Sequence, residues 1–116
     1  MKTNTSILGL LFSILISFLN ASAQETISAE ELSKIYKNDD VSILFAGSEE
    51  DYRIHIPNAV FIPHQILSNQ EPVKNKIKSP GEGAKILGEN GISAHKTLVV
   101  YDESSGKSAS RMYWIL

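Results

Sequence analysis

The side chains that could carry out chemistry in this chain are few, and their types exclude several kinds of site. The sequence contains no cysteine, so it lacks a thiolate nucleophile, a disulfide and a thiolate ligand for zinc or an iron–sulfur cluster. The histidines are His55, His64 and His95, and their spacing does not match a metal site. We therefore predict no catalytic, cofactor-binding or metal-binding residue in this chain.

A short basic loop contains part of a phosphate-binding motif. Gly106-Lys107-Ser108 lies between a predicted strand and a predicted helix, but the full motif needs a glycine where Tyr101 stands. Asp102 and Glu103 would also repel phosphate. Eleven Lys+Arg against 13 Asp+Glu give a formal net charge of -2, so no basic face for nucleic acid is expected. We predict a helix-capping loop here and no nucleic-acid partner.

Three side chains near the end of the chain have more than one interpretation. Arg111 is expected to form a salt bridge with Asp102 or to contact a partner module, and the alternative is that it lines a cleft that attracts a small anion. Tyr113 and Trp114 are expected in the core or in packing against another module, rather than in a ligand site.

The elements that must position these residues alternate between helix and strand. Ser28 with Glu31, and Ser79 with Glu82, have the spacing of capping boxes and predict helices over 29–37 and from Pro80 to Gly91. Apolar runs predict strands over 41–45, 59–62 and 97–101, and the unbroken run of the last is typical of a strand buried on both faces. The polar residues 64–78 are predicted to form a surface loop.

A third helix is predicted from Lys107 onward, because Ala109, Met112, Tyr113 and Leu116 recur at the spacing of one helix face. The predicted order is helix, strand, strand, helix, strand, helix. This order favours a single α/β domain with a mainly parallel sheet.

The first 23 residues have the organisation of a secretory signal peptide. Lys2 precedes an apolar run over Ile7–Leu19, and Ala21-Ser22-Ala23 has the small-x-small pattern of a cleavage site. We predict cleavage after Ala23 and export to the periplasm or the medium, with no membrane attachment afterwards. The alternative is an uncleaved anchor, for which the run is short, because a membrane span needs about 20 residues.

Three segments carry a resemblance to a known family. They are His55-Ile56-Pro57-Asn58-Ala59, where the family has His-Ile-Pro-Gly-Ala, then Ser79-Pro80 through Gly91-Ile92, and then Val99-Val100-Tyr101-Asp102 followed by Ala109 through Trp114. In these segments the chain resembles a rhodanese-like domain, most of all the amino-terminal module of two-domain thiosulfate/3-mercaptopyruvate sulfurtransferases. The resemblance implies a three-layer α/β/α fold over residues 24–116. We expect that fold to be truncated at the C-terminus, because the chain stops inside a predicted helix.

The resemblance also implies a function and a set of site residues. The family transfers sulfane sulfur from thiosulfate or 3-mercaptopyruvate to cyanide or a thiol, and the nucleophilic cysteine is expected beyond residue 116, in a second rhodanese module that would be this chain's partner. His55, Pro57, Asn58 and Asp102 are expected to be structural motif residues. Arg111 is expected to bind substrate or to contact the second module.

The chain departs from the family pattern at three places. Phe45-Ala46-Gly47 stands where many catalytic members have Asp-x-Arg, Asn58 replaces the motif glycine, and Gly83 replaces a large apolar residue. Asparagine tolerates a positive φ better than most residues. Two alternatives to a sulfurtransferase fragment stay open: a non-catalytic rhodanese-like module that binds a partner, and a small secreted α/β protein with a different function.

Overall fold

The computed structural model describes residues 26–103 and 105–116. The predicted signal peptide therefore lies outside the described residues. Within them the helices are α1 (Ala29–Ile35), α2 (Pro80–Glu89) and α3 (Lys107–Ile115), with short 3-10 helices at Asp51–Arg53 and His64–Leu67. The strands are β1 (Val41–Phe45), β2 (Val60–Phe61), β3 (Ser68–Asn69), β4 (Lys76–Ile77) and β5 (Thr97–Tyr101).

The central sheet has three parallel strands in the order β2-β1-β5. Val41 lies opposite Thr97 and Phe45 opposite Tyr101, so β1 and β5 pair along their whole length and end together. Strand β2 pairs with the last two residues of β1. The predicted α/β class with a parallel sheet is confirmed, and the carboxyl ends of all three strands meet at one edge.

Alternate residues of β1 enter different layers of the fold. Ile43 packs with Leu32 of α1, Ala59 and Val99 on one face of the sheet. On the other face Leu44 belongs to a second buried cluster, together with Ala46, Ile62, Leu67 and Met112, and the partly buried Ile86, Leu87 and Ile115 pack against it. Because strand side chains alternate between faces, α1 covers one side of the sheet and α2 and α3 cover the other.

Both predicted capping boxes form. The Ser28 hydroxyl accepts a hydrogen bond from the Glu31 amide at 3.1 Å, and the Glu31 carboxylate accepts from the Ser28 amide at 2.8 Å. Ser79 and Glu82 make the same pair of bonds at 3.4 and 3.1 Å. Helix α1 ends at Ile35, two residues earlier than predicted, because Tyr36 already acts as its C-cap.

Residues 64–78 correct the prediction of a surface loop. They contain the 3-10 helix His64–Leu67 and an antiparallel hairpin of β3 and β4, in which Ser68 lies opposite Ile77. Leu67 is only 1% exposed because it packs with Met112 beneath the sheet. The segment is therefore anchored to the core by one apolar side chain within a polar sequence.

The prediction of which α3 residues enter the core is confirmed only in part. Met112 is fully buried, but Tyr113 is 55% and Leu116 51% exposed, and the neighbouring Trp114 is 81% exposed. Met112 and Ile115 supply the contacts with the sheet instead. Within the described ranges, no helix is both long and apolar enough to cross a membrane.

Ser68 carries a buried hydroxyl with no hydrogen-bond partner among the described residues. We expect Ser68→Ala to raise the free energy of unfolding by about 1 kcal/mol, because an unsatisfied buried polar group is removed. The matched control is Ser79→Ala, which removes a helix cap and is expected to lower the same quantity by about 1 kcal/mol. Urea denaturation measures both, and a loss of stability in Ser68→Ala would contradict the prediction.

Candidate functional site

Asp102 occupies the N-terminus of α3 at the carboxyl edge of the sheet. One carboxylate oxygen accepts from the amide of Gly106 at 2.9 Å, and the other accepts from the amides of Ser108 at 2.9 Å and Ala109 at 3.1 Å. Gly106 has a φ of 71°, in the left-handed region, which glycine adopts without strain. The positive end of the helix dipole is therefore neutralised by a side chain of the protein itself.

The end of β1 is filled by aromatic side chains. The ring of Phe45 is buried, and its centroid lies 5.1 Å from that of Tyr101, 5.8 Å from Tyr52 and 6.1 Å from Phe61. Gly47 is needed above it, because a Cβ at that position would meet the Phe45 ring and the Glu103 carboxylate. Phe45-Ala46-Gly47, the stretch at which the chain departs from the Asp-x-Arg pattern, thus forms a closely packed corner.

His55 is held by the same aromatic group. Its ring stacks on Tyr52 at a centroid distance of 4.0 Å and an interplanar angle of 12°, and its Nδ1 lies within hydrogen-bond distance of the Tyr52 carbonyl. The Tyr52 hydroxyl donates to the Ala59 carbonyl at 2.7 Å, and the Ile56 amide donates to the Tyr101 hydroxyl at 2.9 Å. These contacts fix the turn between the Asp51–Arg53 helix and β2.

Pro57 and Asn58 form the tip of this turn. Asn58 has a φ of 68°, which is the left-handed conformation expected from its alignment with a glycine. Ile56 and Pro57 also line an apolar groove against α1, with Ala29, Leu32, Ser33 and Tyr36. The groove has no charged side chain among its lining residues, and the hydroxyl of Ser33 there donates to the Glu30 carbonyl.

The left-handed backbone at Asn58 leads to a stability prediction. Asn58→Val is expected to lower the free energy of unfolding by about 1–2 kcal/mol, because a β-branched residue is strained at positive φ. Asn58→Gly is expected to change it by less than about 0.5 kcal/mol. Thermal denaturation of the three proteins tests this, and equal melting temperatures for the valine and glycine variants would contradict it.

Of the two contacts expected for Arg111, the salt bridge with Asp102 is absent among the described residues. Its Nη2 donates to the Asn75 carbonyl at 3.1 Å, which joins α3 to the β3–β4 hairpin. The ion pairs formed between described residues are Lys34–Glu30 and Lys85–Glu89, so the salt bridge with Asp102 is not formed within this part of the chain. The carboxylate of Asp102 faces the helix amides instead.

His64 lies in the 3-10 helix that packs against α3. Burial lowers the pKa of His64, and the positive charges of Arg111 and Lys107 lower it further. Sequence reasoning assigned His64 to a loop and did not connect it with Arg111, since their electrostatic interaction depends on how the 3-10 helix packs against α3. His95 lies in the loop before β5, away from any other histidine in the sequence.

The residues that the structure describes, 26–103 and 105–116, contain no candidate metal centre. No group of three or more His, Asp or Glu side chains is placed there to hold an ion. The carboxyl edge of the sheet thus carries a capping aspartate and an aromatic cluster, and the sequence has no cysteine thiol to place there.

Comparison with known proteins gives matches at two levels. The family model described as "Rhodanese-like domain" matches residues 28–116. The 3-mercaptopyruvate sulfurtransferases of Escherichia coli K12 and of Escherichia coli O157:H7 are each 38% identical to this chain over 63 residues. The aligned stretch covers 53% of this chain and 22% of each relative, so the similarity spans about a fifth of the length of those proteins.

Proposed function

Because this chain belongs to the rhodanese-like domain family, we propose that it is the amino-terminal, non-catalytic portion of an exported sulfurtransferase. The complete enzyme moves sulfane sulfur from thiosulfate or 3-mercaptopyruvate to cyanide or a thiol. A second rhodanese module, beyond residue 116, supplies the nucleophilic cysteine. The observation that carries the proposal is the complete absence of cysteine from a chain of this family.

The chemistry of sulfur transfer explains why that absence is decisive. The reaction needs a thiolate that attacks the donor and holds the sulfur as a persulfide, and its pKa must be lowered by backbone amides or nearby positive charge. A serine cannot replace it, because an alkoxide is far more basic and forms no persulfide equivalent. Serines are present in the loop and first turn of α3, at Ser105, Ser108 and Ser110, but they cannot act as sulfur carriers.

The exposed end of α3 supports a role in module packing. Tyr113, Trp114 and Leu116 are all more than half exposed, and large aromatic side chains are typical of protein interfaces. A second module that packs against α3 would bury them, and Arg111 would lie at the margin of the same contact. In this proposal the chain walls one side of the active-site cleft rather than contributing a reacting group.

Export is part of the same proposal and rests on the amino-terminal sequence. The order of Lys2, the apolar run Ile7–Leu19 and Ala21-Ser22-Ala23 supports cleavage after Ala23. Mass spectrometry of the protein recovered outside the cytoplasm is expected to find Gln24 as the first residue. Recovery of a form that retains Met1 would contradict cleavage.

The coding sequence that follows residue 116 tests the proposal against its main alternative, a rhodanese-like module that only binds a partner. About 150 further residues, the size of one domain, are expected to contain a cysteine in a loop after a strand. The complete protein is then expected to form thiocyanate from cyanide and thiosulfate or 3-mercaptopyruvate, and to lose this activity when that cysteine is changed to serine. A continuation without cysteine would favour the alternative of a module that only binds a partner. The closely packed corner at Phe45 and Gly47 is also consistent with that alternative.

A further inference from the structure

Strand β5 is an outer strand of the central sheet, and its second edge has no partner strand among the residues that the structure describes. The Thr97 amide donates to the Asp40 carbonyl at 2.8 Å, and the Tyr101 carbonyl accepts from the amide that follows β1 at 2.9 Å. These two residues therefore direct their backbone groups toward β1. Because this direction alternates along a strand, the amides and carbonyls of Leu98 and Val100 face the second edge.

This edge of β5 lacks the features that usually prevent a strand edge from pairing. The strand Thr97–Tyr101 contains no charged residue and no proline, and Leu98 and Val100 are both partly exposed. The other edge of the sheet is different, because β2 spans only Val60–Phe61 and Pro63 follows it closely. Backbone polar groups need hydrogen-bond partners, so the β5 edge is suited to the addition of another strand.

The sequence of β5 fits a second copy of itself. In an antiparallel arrangement centred on Val99, Leu98 lies opposite the partner's Val100, and the same pair recurs across the two-fold axis. Each pair exchanges both of its N–H···O bonds, so every amide and carbonyl that these residues direct to the edge is bonded. Thr97 then lies opposite the partner's Tyr101, and a β-branched residue beside an aromatic one stabilises antiparallel strands.

The flank of α3 on the same side as this edge carries exposed apolar side chains. Helix α3 packs against β5 and against the 3-10 helix His64–Leu67, which follows β2 at the opposite edge of the sheet. Arg111 points to that opposite side, since it bonds to the β3–β4 hairpin. A helix turns by about 100° per residue, so Tyr113 and Leu116, which are 55% and 51% exposed, lie on the flank away from Arg111.

We propose that this chain forms a two-fold symmetric dimer in which the two β5 strands pair antiparallel and join the two sheets into one. The axis is perpendicular to the joined sheet, so the α3 helices of both copies lie on the same face and cover Tyr113 and Leu116. The assembly closes at two copies, because the short β2 edge does not offer a second site of this kind. The proposal needs no cysteine, so it does not rest on the proposed sulfurtransferase function.

Sedimentation velocity of the 116-residue chain over a range of concentrations measures this association, and we expect a dimer that dissociates on dilution. Val100→Pro removes an amide that faces the open edge and spares the bonds to β1. It is expected to weaken dimerisation by about tenfold or more. The matched control is Val100→Ala, which also changes the side chain but keeps the amide, and it is expected to dimerise like the parent. Circular dichroism checks that both variants keep their helices.

Single cysteines locate the axis, because the sequence contains no other cysteine. Val99→Cys places a thiol on the axis, where facing Cβ atoms lie about 4.5–5.5 Å apart. We expect it to form a disulfide-linked dimer in oxidised glutathione. Thr97→Cys is the matched control and is expected to cross-link far more slowly, because Thr97 lies at the end of the strand, away from its own copy. This test does not depend on whether Val100→Pro folds.

Three results would each overturn the proposed dimer. The first is a monomer at every concentration, which would mean that another part of the chain or a different partner covers the β5 edge. The second is equal weakening in Val100→Pro and Val100→Ala, and the third is cross-linking of Val99→Cys and Thr97→Cys at the same rate.

Discussion

Replacing Phe45 with alanine is expected to lower the free energy of unfolding by about 3–5 kcal/mol, the usual cost of deleting a buried aromatic ring. The Phe45 side chain is only 2% exposed. Its ring contacts those of Tyr52, Phe61 and Tyr101, which come from three other segments of the chain. Removal of the ring leaves a cavity at the carboxyl end of β1 and loosens the turn that carries His55. Guanidinium chloride denaturation, followed by fluorescence and circular dichroism, measures the change.

Two variants control for the size and place of the deletion. Phe45→Leu keeps most of the apolar volume and is expected to lower the free energy of unfolding by about 1.5 kcal/mol. Ile54→Ala shortens an apolar side chain that is 93% exposed, and its effect on the free energy of unfolding is expected to stay within about 0.5 kcal/mol. A loss of less than about 1 kcal/mol in Phe45→Ala would show that this corner is not the closely packed one described here.

Asp102→Ala is expected to lower the free energy of unfolding by about 2–3 kcal/mol, because three backbone amides lose their acceptor at once. Hydrogen bonds to a charged group contribute about 1.5–3 kcal/mol, and a lost helix cap alone costs about 1 kcal/mol. The first turn of α3 is also expected to lose protection from amide hydrogen exchange at Ser108 and Ala109. Equilibrium urea denaturation and hydrogen exchange measure these two effects.

Asp102→Asn is the conservative counterpart. Its amide oxygen still accepts from one or two amides, but the charge that complements the helix dipole is lost. We expect Asp102→Asn to lower the free energy of unfolding, but by less than Asp102→Ala does. If the alanine variant kept both its stability and its amide protection, Asp102 would not be the cap of α3.

The elements with strong local signals could be predicted from the sequence. Ser28 with Glu31 and Ser79 with Glu82 satisfy amides within their own first turns, so the spacing alone predicts where α1 and α2 begin. The apolar run over Thr97–Tyr101 predicts its strand equally well. The match of Asn58 with a glycine position predicts a positive φ, because few other residues adopt that conformation.

The features that depend on tertiary contacts could not be predicted in this way. Residues 64–78 appear polar, yet Leu67 anchors them under the sheet and Ser68 is buried beside it. Helical spacing placed Tyr113 in the core, but the face of α3 that meets the sheet is set by Met112 and Ile115. The charges of Arg111 and Asp102 suggested a salt bridge, whereas Arg111 donates to the Asn75 carbonyl and Asp102 accepts from backbone amides of α3.

The measurement that tests the central claim most directly is sulfur transfer by this chain alone. The purified 116-residue chain is assayed for thiocyanate formation from cyanide with thiosulfate or 3-mercaptopyruvate, beside the 3-mercaptopyruvate sulfurtransferase of Escherichia coli K12 as a positive control. We predict thiocyanate formation at the rate of the protein-free reaction, and no sulfur adduct on the chain by mass spectrometry. Turnover above that rate, or a gain of mass equal to one sulfur atom, would contradict the claim that this rhodanese-like chain is non-catalytic.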